Sequence, residues 1–135
     1  MKIVIIGNSI SIKDKEYIVN NIPKRFDVEY KIRYSITKEE RIREYFDMID
    51  ESDVVIGLSR NGKYDPITLC QIMYAERFNK TIFKIDIRQP NLTLLNHLLR
   101  VKEWNINDCA TNNNTNTTNN NGFNTDMYSS LYDIH

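Results

Sequence analysis

The chain has 135 residues, of which 41% are hydrophobic, 27% charged and 10% aromatic, a length and composition that suit one soluble domain rather than two of ordinary size. Its 18 Lys and Arg balance 18 Asp and Glu, so no nucleic-acid polymer is expected, since gripping a phosphate backbone needs a cationic excess. Apolar runs such as Ile3-Val4-Ile5-Ile6 fall far below the ~20 residues that span a bilayer, and no signal-peptide pattern follows Met1, which predicts a cytoplasmic chain with no membrane partner.

In chain order, Lys2 to Gly7 is a continuous β-branched strand ending at Gly7-Asn8-Ser9, the pattern of a strand covered on both faces. Tyr17, Ile18 and Ile22 predict a short amphipathic helix ending before Pro23. Phe26 to Tyr34 is a second strand, with Val28, Tyr30 and Ile32 alternating. Thr37 and Glu40 form a capping box, followed by Ile42, Tyr45, Phe46 and Ile49 at helical spacing. The charge runs Lys13 to Glu16 and Lys38 to Glu44 are expected on solvated helix faces. Asp53 to Leu58 is a buried strand, Pro66 to Phe78 a largely apolar helix and Thr81 to Ile87 a fourth strand. Asn91 then caps a helix whose Leu92, Leu95, Leu98 and Leu99 form one apolar stripe, which is core or, alternatively, an oligomer face. All Lys and Arg lie at or before Lys102, leaving +3 on residues 1–103 and −3 on 104–135. From Asn105 to Thr125 Asn and Thr dominate, predicting a disordered low-complexity tail over 104–135, most simply filler rather than an interaction segment. Cys70 and Cys109 have no partner at ligand spacing and are expected to be reduced thiols, with no metal site.

Alternating strands and helices with short connections predict a three-layer, Rossmann-like, doubly wound α/β fold with a mainly parallel sheet of four to five strands. Ligands of such sheets bind beyond the carboxyl ends of the strands. Those ends are Gly7-Asn8-Ser9, Tyr34-Ser35, Ser59 to Asp65 and Asp86 to Arg88. The candidate ligand-binding residues are therefore Gly7, Asn8, Ser9, Ser59, Arg60, Asn61, Lys63 and Tyr64, with Arg60 and Lys63 expected to be solvated loop cations or, alternatively, to meet a 5′-phosphate. Asp65 before Pro66 has a sufficient explanation as a helix N-cap, and the same position faces the crevice. Gln71, an amide among Leu69, Cys70, Ile72 and Met73, must find hydrogen-bond partners in the backbone or in a ligand. The first loop lacks both G-x-G-x-x-G and G-x-x-x-x-G-K-[ST], which argues against dinucleotide binding and P-loop phosphoryl transfer. His97 and His135 have no evident nucleophile beside them, and no triad is proposed.

The run Met1 to Gly7, then Ser52-Asp53-Val54-Val55-Ile56, then Asp65 to Ala75, then Asn79-Lys80-Thr81-Ile82 resembles the nucleoside 2-deoxyribosyltransferase family and its nucleotide N-glycoside hydrolase relatives over about residues 1 to 88. The family run Asp-x-Gly-Thr-x-x-Glu-x-Gly-Tyr-Ala is matched at Asp65, Thr68, Tyr74 and Ala75. It is departed from at Ile67, Gln71 and Met73, with Gln71 in the place of the nucleophilic Glu. The resemblance implies cleavage of an N-glycosidic bond through a covalent sugar intermediate, Asp65 helping to position the base or move a proton. It also implies a homo-oligomer whose C-terminal segments complete neighbouring sites, with Asn124, Met127 and Tyr128 as candidates. No cofactor is expected.

A neutral amide at the nucleophile position neither stabilises an oxocarbenium-like transition state by charge nor forms an ester. The first expectation is therefore a nucleoside- or nucleotide-binding protein without efficient family-type transfer. The alternative is an active N-glycosidase or deoxyribosyltransferase whose carboxylate is Asp65 or Asp86, Gln71 orienting the sugar. The third is a non-enzymatic interaction protein using the leucine stripe and the tail.

Overall fold

A computed structural model describes residues 1–30, 37–111 and 133–134. Strands and helices alternate: β1 (Lys2–Ile6), α1 (Ile12–Asn20), β2 (Asp27–Glu29), α2 (Lys38–Glu51), β3 (Val54–Ser59), α3 (Pro66–Arg77), β4 (Thr81–Asp86) and α4 (Leu92–Thr111). The sheet runs β2-β1-β3-β4, and a two-residue strand β5 (Asp133–Ile134) extends it beyond β4. Every ladder is parallel. The predicted doubly wound α/β fold is what the chain forms.

Period-two alternation along each strand divides the core into two layers. Ile3 and Ile5 of β1 join Val54, Ile56 and Leu58 of β3 beneath Ile18 of α1 and Leu95 and Leu99 of α4. Val4 and Ile6 turn the other way, with Val55 and Ile82, against Tyr45 and Ile49 of α2 and Ile72 and Ala75 of α3. Covering both faces is why the strands read as unbroken apolar runs. The leucine stripe of α4 is core, since Leu92 and Leu98 also pack on that layer.

Helix starts follow the predicted chemistry. Thr37 accepts from Glu40 N at 3.2 Å and Asn91 Oδ1 from Leu94 N at 3.0 Å; Ser11, which the sequence reading passed over, caps α1 through Asp14 N at 3.1 Å. Three expectations meet differences. β2 holds only Asp27–Glu29; Phe26 and Tyr30 on either side of it are not strand, and residues 31–34 of the expected run, with the Tyr34-Ser35 loop, lie outside the described residues. α4 passes the boundary drawn at residue 103 and continues to Thr111, because each added turn satisfies backbone groups of the turn before it; Asn124, Met127 and Tyr128 lie outside the described residues. Lys15 is fully buried rather than solvated, and engaged within the fold, because it sits three and seven positions before Ile18 and Ile22 on the face that meets the core.

The topology also fixes where an opening can form. From β1 the chain steps outward to β2, then returns to the other side of β1 as β3, so the switch point lies between the carboxyl ends of β1 and β3. Ile6 pairs with Gly57 at the end of the β1 ladder, whereas β3 and β4 stay paired two residues further, to Ser59 and Asp86. The sheet edge is therefore stepped, with β3 and β4 projecting past β1.

Candidate functional site

At the switch point the chain closes on itself. Gly7 is buried where a Cβ would lie 3.0 Å from Ile10 Cγ1 and 3.1 Å from Leu58 Cβ, so a side chain there would separate the end of β1 from β3. The turn after it donates Asn8 N to Thr68 Oγ1 at 2.8 Å and Ser9 N to Asp65 Oδ2 at 3.1 Å. Asp65 is the N-cap of α3 in extended backbone, followed by Pro66, and its carboxylate also accepts Thr68 N at 2.9 Å and Thr68 Oγ1 at 2.6 Å. A helix start and a facing loop with free N–H groups normally make an anion site; here the protein's own carboxylate fills it. Desolvation works against that charge, but the hydrogen bonds from Thr68 and Ser9 outweigh it and hold the Asp65 carboxyl below its ordinary value.

Gln71 follows one turn after Thr68 on the stripe of α3 that faces inward, with Ile67, Thr68, Ile72 and Ala75. It is 1% exposed and engaged within the fold. The amide that takes the nucleophile's place in the resemblance is thus out of reach of solvent.

The connection after β3 is built differently. Arg60 and Lys63 exchange backbone hydrogen bonds at 3.0 Å each, while Asn61 and Gly62 between them have φ of 55° and 74°. Both central residues are left-handed, as in a type I′ turn, for which Asn-Gly is the favoured sequence. Asp86, at the end of β4 and 6% exposed, straps this turn to the sheet: Oδ2 accepts Gly62 N at 2.6 Å and Oδ1 accepts Arg88 N at 2.8 Å. Ser59 is buried and donates to Ile85 O across the ladder at 3.4 Å. Tyr64 packs on the α2–α3 layer, 3.8 Å from where a Cβ on Gly57 would be. Arg60 pairs with Asp14 of α1 at 3.4 Å, and Lys63 is exposed.

Between the turn and the end of β4 lies a cavity of about 400 Å³ lined by Asn61, Asp86, Arg88 and Gln89. Of the sequence candidates, Asn61 and Asp86 meet in this cavity. Gly7, Asn8, Ser9 and Asp65 instead knit the switch point shut; Ser59 and Tyr64 are packing residues. Arg88 and Gln89 line the cavity but are not among the sequence candidates, although the strand-end rule reaches Arg88; the register that sets Ser59 beside Asp86 is what brings them to the Asn61 turn, and no local pattern announces it. A second, apolar groove of about 600 Å³ runs along α4 between His97, Arg100, Val101, Trp104 and Asn105, away from any candidate.

Among the described residues no three His, Cys, Asp or Glu are grouped to hold a metal ion, and no helix is long and apolar enough to cross a membrane. Cys70 is a free, exposed thiol. Comparison of this chain with protein-family models, with curated proteins and with solved structures finds no match in any of the three.

Proposed function

We propose that the chain binds a nucleoside or nucleotide at the carboxyl edge of its sheet without glycosyl transfer through position 71. The observation that carries this reading is the cavity of about 400 Å³ whose wall combines a carboxylate, a guanidinium and two amides. That volume falls within the ~300–1,000 Å³ common to small-molecule sites. The amides offer both donors and acceptors, as a base edge or a sugar hydroxyl requires, and the cavity lies beyond the carboxyl ends of β3 and β4, on the sheet edge that carries ligands in such folds though one strand away from the switch point.

Transfer finds less support. It needs a carboxylate able to reach an anomeric carbon. Gln71 is neutral and buried. Asp65 already accepts three hydrogen bonds and Asp86 two from backbone N–H groups. Attack by either acid would break bonds worth about 1.5–3 kcal/mol each.

The test is thermal unfolding of the full chain with a panel of nucleosides and nucleotides. A ligand held only by the folded state at ~100 times its Kd adds about 2.7 kcal/mol of stability, a rise of several degrees. Asn61→Ala and Gln89→Ala, both at exposed positions, should reduce that rise. No shift with any member of the panel would overturn the reading. Release of free base from a nucleoside or nucleotide, abolished by Asp86→Asn, would favour the enzyme instead.

A further inference from the structure

We propose that the ligand is the phosphorylated form, a nucleotide, and that Arg88 holds its phosphate; this rests on the reading above and narrows it. Three observations lead there. The N–H groups where the first loop faces the start of α3 are taken by Asp65, so a ligand phosphate is not held there. Of the cations near the sheet edge, Arg60 is committed to Asp14 and the exposed Lys63 is not part of the cavity lining, whereas Arg88 lines the cavity and its guanidinium has no ion pair or hydrogen bond among the described residues. Its backbone, finally, is fixed from below, because the buried carboxylate of Asp86 accepts Arg88 N at 2.8 Å and Gly62 N at 2.6 Å. Asp86 is thus a positioning residue that sets Arg88 and the Asn61 turn on opposite sides of one opening. A guanidinium with a fixed backbone and an open planar fork suits bidentate recognition of phosphate, with the amides of Asn61 and Gln89 left for the sugar or base.

The experiment is calorimetric titration of the full chain with nucleosides, the matching 5′-monophosphates and inorganic phosphate, for wild type and Arg88→Gln. Arg88 is exposed, and unchanged unliganded melting of the variant checks that it folds. The expected result is a monophosphate bound about 10-fold or more tighter than its nucleoside, a preference that Arg88→Gln removes and that weakens as salt is raised. Equal binding of nucleoside and monophosphate, or a preference that survives Arg88→Gln, would overturn the assignment while leaving nucleoside binding intact. Inorganic phosphate binding as well as any monophosphate would also overturn it. Binding of neither nucleosides nor monophosphates would remove the parent reading together with this one.

Discussion

Replacing Asp65 by Ala removes one carboxylate and orphans three donors. Loss of a helix N-cap costs about 1 kcal/mol, within a range of roughly 0.5–2. The hydroxyl of Thr68, a fully buried residue, loses its acceptor at 2.6 Å, and a buried donor left unmade costs about 1–3 kcal/mol. Ser9 N, on an exposed residue, recovers most of its loss from water. Together these give about 2–3 kcal/mol, or roughly 10 °C in Tm for a domain of this size. Asp65→Asn keeps a good capping side chain but not the charge, so it should fall about midway. The pH dependence separates charge from shape. The folded Asp65 carboxyl lies below its ordinary 3.8, so its stabilisation is complete above the unfolded value and is lost as pH falls through the folded one. Urea melts of wild type and Asp65→Asn should therefore differ most near neutrality and converge below about pH 4. An Ala variant within about 0.5 kcal/mol of wild type at pH 7, or a gap indifferent to pH, would refute the account of Asp65 as the clamp of the switch point.

Three further substitutions test the frame. Gly62→Ala meets no atom within 4 Å but keeps φ at +74°, so it should cost about 1 kcal/mol of backbone strain alone; urea midpoints check this, and a variant as stable as wild type would contradict the left-handed turn. Phe83→Ala empties a fully buried position in the α1–α4 layer and should cost about 3–5 kcal/mol in the same assay; a loss under 1 kcal/mol would mean the layer is not packed there. Gln71→Glu places a carboxyl where exposure is 1%. Its pKa should rise, so the variant loses stability relative to wild type as pH climbs from 5 to 8; a gap that stays level would place position 71 in contact with water.

Much of this molecule is legible from local pattern, because the information is local. β1, β3 and β4 are covered on both faces, and Thr37, Asp65 and Asn91 satisfy donors three residues ahead of them. What escaped the reading depends on distant partners or on competing signals. Lys13 to Glu16 looks solvated by composition, yet helical period sends Lys15 to the core with Ile18 and Ile22. α4 extends into an Asn-rich stretch that composition alone consigns to the tail. The cavity is less legible still, since Asn61 and Arg88 are 27 positions apart in sequence and meet only through the β3–β4 register.

The Asp65 to Thr68 motif shows how one pattern serves two explanations. An Asp three residues before a Thr, at the start of a helix beyond a buried strand, is what a glycosidic site would present, and equally what a capped helix needs to hold a neighbouring loop. Composition does not separate them; the destination of the lone pairs does. Here they go to Thr68 and Ser9, while the polar groups left open stand one strand further along, at Asn61, Arg88 and Gln89. If binding resides there, Asp65→Asn should lower the melting temperature of the free protein yet leave the Kd of a bound nucleotide unchanged at a temperature where both forms are folded. A Kd weakened tenfold or more with little change in melting would return the ligand to the switch point and reverse the assignment.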